Sequence, residues 1–203
     1  MMFTESEGKS KWIYRRRNLD YREKLKQLIK ERALKVADKP VFKLSSGKMS
    51  TYYMDLRTIT LDPEGGYIIG NLIFEMVKEH KPDAIGGLTL GADPISYATA
   101  LVSYLNRQPI KPFVVRKEPK GHGTGRQIEG NVQAGDRVFI VEDVVTTAGS
   151  SLKAAKVAKE AGLEVLGIIT IVDREEGGEE NIRKEGFEFY PIFKVSEFLK
   201  KSQ

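Results

Sequence analysis

From Asp83 onward one pattern repeats: a short apolar run, then a helical or turn-forming segment, then another apolar run. The runs are "DAIGGL" (83–88), "KPFVVR" (111–116), "RVFIVE" (137–142), "LEVLGIITIV" (163–172) and "EFYPIF" (188–193). Between them "DPISYATALVSYLN" and "GSSLKAAKVAKEAG" have helical spacing, the first opened by Asp-Pro and the second closed by Gly162. A strand that is apolar on both faces must be covered on both faces, which happens where helices cross over between parallel strands. The pattern therefore predicts an α/β fold, a parallel β-sheet flanked by helices. Ligands bind such sheets beyond the carboxyl ends of the strands, so the residues that follow each run are the ones to search.

Before Asp83 the chain is patterned differently. Tyr21, Leu25, Leu28, Ile29 and Val36 space an amphipathic helix, with Asp20 as its cap. "PVFKLSSGKMSTYYMDLR" (Pro40 to Arg57) reads as two short strands about a Ser-Ser-Gly turn, and Pro63 to His80 as a helix stopped by Pro82. The division expected is an extension over 1–18, an N-terminal helix and small subdomain over 19–60, and an α/β core over 61–203. A closing helical turn, "VSEFLKK", follows the last strand.

Composition removes several classes of function. No run of about 18 apolar residues is present, so no helical membrane span is expected. The first residues lack the apolar core of a secretory signal. With no cysteine there is no disulfide, thiolate metal site or cysteine nucleophile, which fits a cytoplasmic protein. The 33 basic and 28 acidic residues leave a net charge of +5, enough to favour small anions and too little to argue for nucleic acid. "YRRRN" (14–18) reads better as a solvated lead-in to a helix than as a nucleic-acid site. His80 is read as a helix-end surface residue, and no histidine and acid cluster has metal-cage spacing.

The stretch "RVFIVEDVVTTAGSS" (137–151) carries the chemistry. A buried strand ends in Glu142 and Asp143, which can accept hydrogen bonds from paired ribose hydroxyls or lie near a metal. A helix then starts near Gly149, where exposed backbone N–H groups prefer an anion. Thr146, Thr147 and Ser150 add hydroxyls, and the small Ala148 and Gly149 let the backbone come close. The bland alternative has Thr146 and Ser150 simply capping the helix, but a cap needs one hydroxyl and no acidic pair. The glycine-lysine pattern of a nucleotide P-loop is absent. Sugar and phosphate together suggest a ribose 5-phosphate site.

Between Val115 and Arg137 lies a long loop, "RKEPKGHGTGRQIEGNVQAG", without apolar period. Its glycines allow movement, and Arg116, Lys117, Lys120, His122 and Arg126 make it cationic. A loop of this kind can close on a highly charged leaving group and exclude water.

"VFIVEDVVTTAGSS" resembles the phosphoribosyl-pyrophosphate (PRPP) motif of the type I phosphoribosyltransferases, and "RKEPKGHG" is similar to the catalytic loop of the orotate phosphoribosyltransferase family. The resemblance extends from about Asp20 to Val195. It implies Lys120, His122 and Asp143 as catalytic residues. It implies PRPP contacts from Arg116, Lys117, Lys120 and His122, and from Glu142, Asp143, Val144, Val145, Thr146, Thr147, Ala148, Gly149 and Ser150. Arg174, in "IITIVDREEGG", would grip the orotate carboxylate with Thr146 beside the base; an arginine paired with Glu175 or Glu176 is the plainer reading of that string. "LSSGKMSTYYMDLR" resembles the family's hood over the base, with Tyr52 and Tyr53 as an aromatic wall or as core packing. Many members carry Lys where this chain has Ser45, leaving Lys43 or Lys48 as nearby cations. Some carry Tyr-Lys at Thr89 and Leu90, so "GGLTLGADP" is assigned backbone contacts only. The resemblance further implies Mg2+ arriving with PRPP and held by substrate oxygens, with no protein metal site. It also implies a homodimer in which the 116–125 loop acts in trans, and the making of orotidine 5′-phosphate for pyrimidine synthesis. No membrane or nucleic-acid partner is expected. A purine phosphoribosyltransferase would share the fold, and some members of the superfamily sense ligand while binding nucleic acid. Lys120, His122 and the short N-terminus argue against the second of these.

Overall fold

A computed structural model describes residues 20–43, 47, 49–119 and 127–199. Six strands form the main sheet: β5 (Ala84–Leu88), β6 (Lys111–Val115), β7 (Ile128–Gly130), β8 (Arg137–Val145), β9 (Glu164–Asp173) and β10 (Phe189–Lys194). Their spatial order is β10-β9-β8-β5-β6-β7, with all pairs parallel except β6–β7. The chain moves outward from β5 to β7, returns to β8 on the other side of β5, and continues to β10. Its direction thus reverses between β5 and β8, which makes the crevice between their carboxyl ends the place for a ligand.

Alternation along β8 explains the two covered faces. Val138 and Ile140 pack into one apolar cluster with Ala154, Ala155 and Ala158 of α5 (Gly149–Glu160). Phe139 and Val141 join the other cluster, with Ile69 and Ile73 of α3 (Pro63–Val77) and Ile95 of α4 (Ala92–Leu105). Phe139 is 1% exposed, and burying such a side chain stabilises the fold by about 1.5–3 kcal/mol. Helix α3 starts where expected because Asp62 accepts from the N–H groups of Glu64 and Gly65, both at 3.0 Å, with Pro63 preset at the first helical position.

The N-terminal region departs from its expected outline. Helix α1 covers 20–28, already including Asp20, and ends in a π-helical turn, Ile29–Ala33. Val36 is not on its apolar face: it lies in β1 (Leu34–Val36) and is 63% exposed. Strand β1 pairs antiparallel with β4 (Tyr52–Met54), a partnership that takes Val36 out of the helix. The expected strand pair about Ser-Ser-Gly is present as β2 (Phe42–Lys43) and β3 (Met49–Ser50), while Ser45, Ser46 and Lys48 lie outside the described residues. Helix α1 is held to the core by Arg22, which binds Glu197 at 2.9 Å and covers the Phe193 ring at 4.4 Å. Two short helices, α2 (Arg57–Thr60) and α6 (Gly178–Lys184), and strand β7 were not expected from periodicity. Among the described residues no helix is long and apolar enough to cross a membrane.

Candidate active site

Strand β8 does not stop at Val141. Strand β9 is long enough to keep pairing it, so Glu142 lies opposite Thr170 and Val145 opposite Asp173. On the other side β5 pairs only as far as Ile140. The two acids therefore sit where β8 has a strand neighbour on one side alone, at the switch point. After Val145 the chain bends through Thr146 and Thr147, and Ala148 takes a left-handed conformation, φ 68° and ψ 14°. That conformation costs a residue with a Cβ about 1–2 kcal/mol, and it turns backbone N–H groups into a concavity suited to an anion.

No side chain caps α5: neither Thr146 nor Ser150 takes the N–H groups of its first turn. Ser151 Oγ instead donates to Ala148 O at 3.2 Å. A cavity of about 220 Å3 opens there, lined by Glu142 and by residues 144–151. Short helix α6 supports this loop from below. Asn181 Nδ2 donates to Thr147 O at 3.1 Å, and a Cβ on Gly178 would stand 2.8 Å from Thr146 O.

The opposite wall is the loop after β5. A Cβ on Gly91 would lie 2.8 Å from Asp143 Oδ1 and 3.1 Å from Glu142 Oε1, so any larger residue here would push on the two carboxylates. Glu142 is 8% exposed, and its Oε2 finds no hydrogen-bond partner among the described residues. Burial, then the adjacent Asp143 charge, pushes the Glu142 carboxyl well above the usual glutamate range. Asp143 is half-buried and its Oδ1 accepts from Val144 N at 2.8 Å. Two carboxylates, one unsatisfied, beside an uncapped helix start can hold vicinal hydroxyls and a phosphate together.

The long loop is less irregular than its sequence suggested. Strand β7 pairs back on β6, with Val115 opposite Ile128, so Arg116 and Lys117 follow directly on a paired strand. Arg116 N donates to Gln127 O at 2.8 Å, Arg116 Nη1 lies 3.5 Å from Glu129, and Lys153 Nζ of α5 donates to Lys117 O at 2.6 Å. Lys117 is exposed; Lys120, His122 and Arg126 lie outside the described residues.

Arg174 follows β9 directly, and its N–H donates to Val145 O at 2.9 Å, which sets it beside the phosphate loop. It is not a surface residue, since its side chain is 10% exposed, yet it does make the plainer pairing, with Glu176 at 3.0 Å. Of the two readings of the hood tyrosines, core packing is seen for Tyr52, which is buried in the main apolar cluster. Tyr52 covers the Arg174 guanidinium at 4.6 Å from its ring centroid, while Tyr53 stacks on Phe42 at 6.1 Å. Burial raises the Tyr52 phenol above its usual pKa. His80 is exposed at its helix end, as expected, and meets Phe139 edge-on. Sequence reasoning missed Gly178 and Asn181 of α6; it named Glu176 as a partner for Arg174, and Gly91 only as part of the GGLTLGADP loop. Helix α6 left a signal: two acids in its first turn, Arg183 and Lys184 in its last, and Gly186 beyond.

Residues 58–196 match the phosphoribosyl transferase domain. The orotate phosphoribosyltransferase of Aquifex aeolicus is 66% identical over 178 residues, covering 88% of this chain and 97% of the relative. The orotate phosphoribosyltransferase of Mycobacterium tuberculosis, solved with Fe(III) dicitrate, superposes with a TM-score of 0.76 at 38% identity, covering 88% of this chain and 98% of that one. Solved with PRPP, it superposes with a TM-score of 0.73 at 35% identity and the same coverage. A switch-point crevice of this build, on a chain this similar throughout, leaves one assignment: the chain belongs to the orotate phosphoribosyltransferases.

Proposed function

We propose that this chain moves the 5-phosphoribosyl group of PRPP to N1 of orotate, giving orotidine 5′-phosphate and pyrophosphate, in cytoplasmic pyrimidine synthesis. The observation that carries this reading is the buried, unpartnered Glu142 oxygen next to an uncapped helix start at the switch point of the sheet. Backbone N–H groups and hydroxyls over Thr146–Ser150 hold the 5′-phosphate. Glu142 and Asp143 hold the ribose hydroxyls, and the terminal amino groups of Arg174 grip the orotate carboxylate beside Thr146. The anomeric carbon exchanges its oxygen bond to pyrophosphate for a bond to orotate N1, and the orotate N1 proton is lost to solvent. No protein nucleophile is needed: positioning and electrostatics lower the barrier. Asp143 offsets positive charge developing on the ribose. Lys120 and His122, with Arg116 and Lys117 at the loop base, offset the negative charge that departs.

Magnesium fits this donor set. Glu142 and Asp143 offer the hard oxygens that Mg2+ takes, and they would help hold an ion that arrives on the substrate oxygens of PRPP. The chemistry the ion would supply when bound is neutralisation of charge on the pyrophosphate. The chain is read as a homodimer with the 116–125 loop acting in trans, and one surface supports the pairing of two copies. Tyr97, Leu101, Tyr104 and Leu105 follow helical spacing on α4 and are all exposed, an apolar stripe suited to a second copy of this chain.

Two experiments test these readings. The ultraviolet absorbance of orotate should fall when the protein, PRPP and magnesium are mixed, whereas consumption of hypoxanthine or adenine alone refutes the base assignment. Mixing inactive Lys120→Ala and Asp143→Ala subunits should restore activity through hybrid dimers. No recovery despite subunit exchange means that the loop serves its own chain.

A further inference from the structure

Arg174 is held from inside the protein along one edge of its guanidinium. Nε donates to Tyr52 Oη at 3.0 Å and lies 3.0 Å from Glu176 Oε1. Tyr52 Oη stands 3.5 Å from the same Glu176 oxygen, so the three groups close a triangle. The ring of Tyr52 covers the guanidinium face, and at 9% exposure it shields the contact from water, where hydrogen bonds to a charged group are strong. The two terminal amino groups of Arg174 make no hydrogen bond to any described residue. A guanidinium binds a carboxylate either along its Nε side or end-on through its terminal pair. With Nε taken by Tyr52 and Glu176, the terminal pair is the edge left for a ligand. Tyr52 comes from β4, and Arg174 and Glu176 from the turn after β9, so the contact ties the small N-terminal sheet to the core.

We propose that Tyr52 and Glu176 are positioning residues that fix Arg174 for end-on recognition of the carboxylate on the base. The proposal rests on the reading of Arg174 as the group that grips orotate. Tyr52→Phe keeps the ring and removes only the hydroxyl. It should raise the KM for orotate about tenfold, while kcat and the KM for PRPP change by less than about twofold. Glu176→Gln should move the same constant in the same direction. In an Arg174→Lys background Tyr52→Phe should add no further penalty, because the group it positions is gone. An unchanged orotate KM in Tyr52→Phe, or equal rises for orotate and PRPP, overturns the proposal. If Arg174→Lys by itself leaves the orotate KM untouched, the reading of Arg174 fails and takes this proposal with it, an outcome distinct from failure of the clamp alone.

Discussion

The two ends of the site solve opposite problems. At the β8–α5 junction the polar groups are left without partners: Glu142 Oε2 is buried and unsatisfied, and the first turn of α5 has no side-chain cap. At the end of β9 the charge is already partnered, with Arg174 held by Tyr52 and Glu176. The first end is costly to the fold and ready for a highly charged ligand. The second is comfortable in the fold and presents one oriented edge. In the function proposed above, unsatisfied buried groups would store binding energy for PRPP, and satisfied ones would supply the geometry that selects a base.

The largest effect that would sharpen this contrast is at Asp143. Asp143→Asn should lower kcat by about 10²–10³-fold in steady-state assays, with a much smaller change in the orotate KM. A kcat within a few-fold of the starting value would erase the distinction between the two ends. Next comes Gly91→Ala, whose Cβ would enter the space between Asp143 and Glu142. The PRPP KM should rise about tenfold with the orotate KM nearly constant, and overpacking should cost about 1–3 kcal/mol in denaturant unfolding.

Smaller is the change expected in Glu142→Gln, which should weaken activity and stabilise the protein without substrates. The folded-state pKa of Glu142 is raised, so the stability it contributes is fully present below the usual glutamate value near 4.5 and lost as pH rises through the elevated one. The glutamine variant escapes that loss. Its melting point should exceed the parent's by roughly 2–4 °C for each kcal/mol at neutral pH, and the gap should close in acid. A parent as stable as the variant at pH 7 would mean that the oxygen is not strained. Smallest is the control at Glu197, a carboxylate that has its partners. Burial pushes its pKa up, but Lys194 N–H, Arg22 and Lys26 outweigh burial and hold it low. Its contribution should fall away below about pH 4.5, the opposite direction from Glu142. Glu197→Gln should cost about 1 kcal/mol or less at neutral pH by thermal denaturation, since the pair is partly solvated.

Much of the site was legible because its parts are contiguous. Glu142 to Ser150 lie in one string that local period and residue chemistry mark, whereas Arg174, at the end of another strand, was singled out by the family resemblance, its plainer reading being an ion pair with Glu175 or Glu176. Helix α6 was legible too, from its charged ends and Gly186, and was overlooked. Tyr52 could be read as an aromatic wall or as core packing; it is buried in the core, and its contact with Arg174 was not legible, because a tyrosine in a short strand carries no mark of what it will face across 122 residues.

By itself the sequence determined the parallel sheet, the helices that cover it, and the chemical groups at the strand ends, all of which follow from patterns within a few residues. Only the tertiary structure decided that β8 returns beside β5, that β9 extends β8 past the acids, that Gly91 meets Asp143, and that Tyr52 and Glu176 converge on Arg174. Those are contacts between distant segments. They are set by which strands pair and how closely their backbones approach, and no local period encodes either.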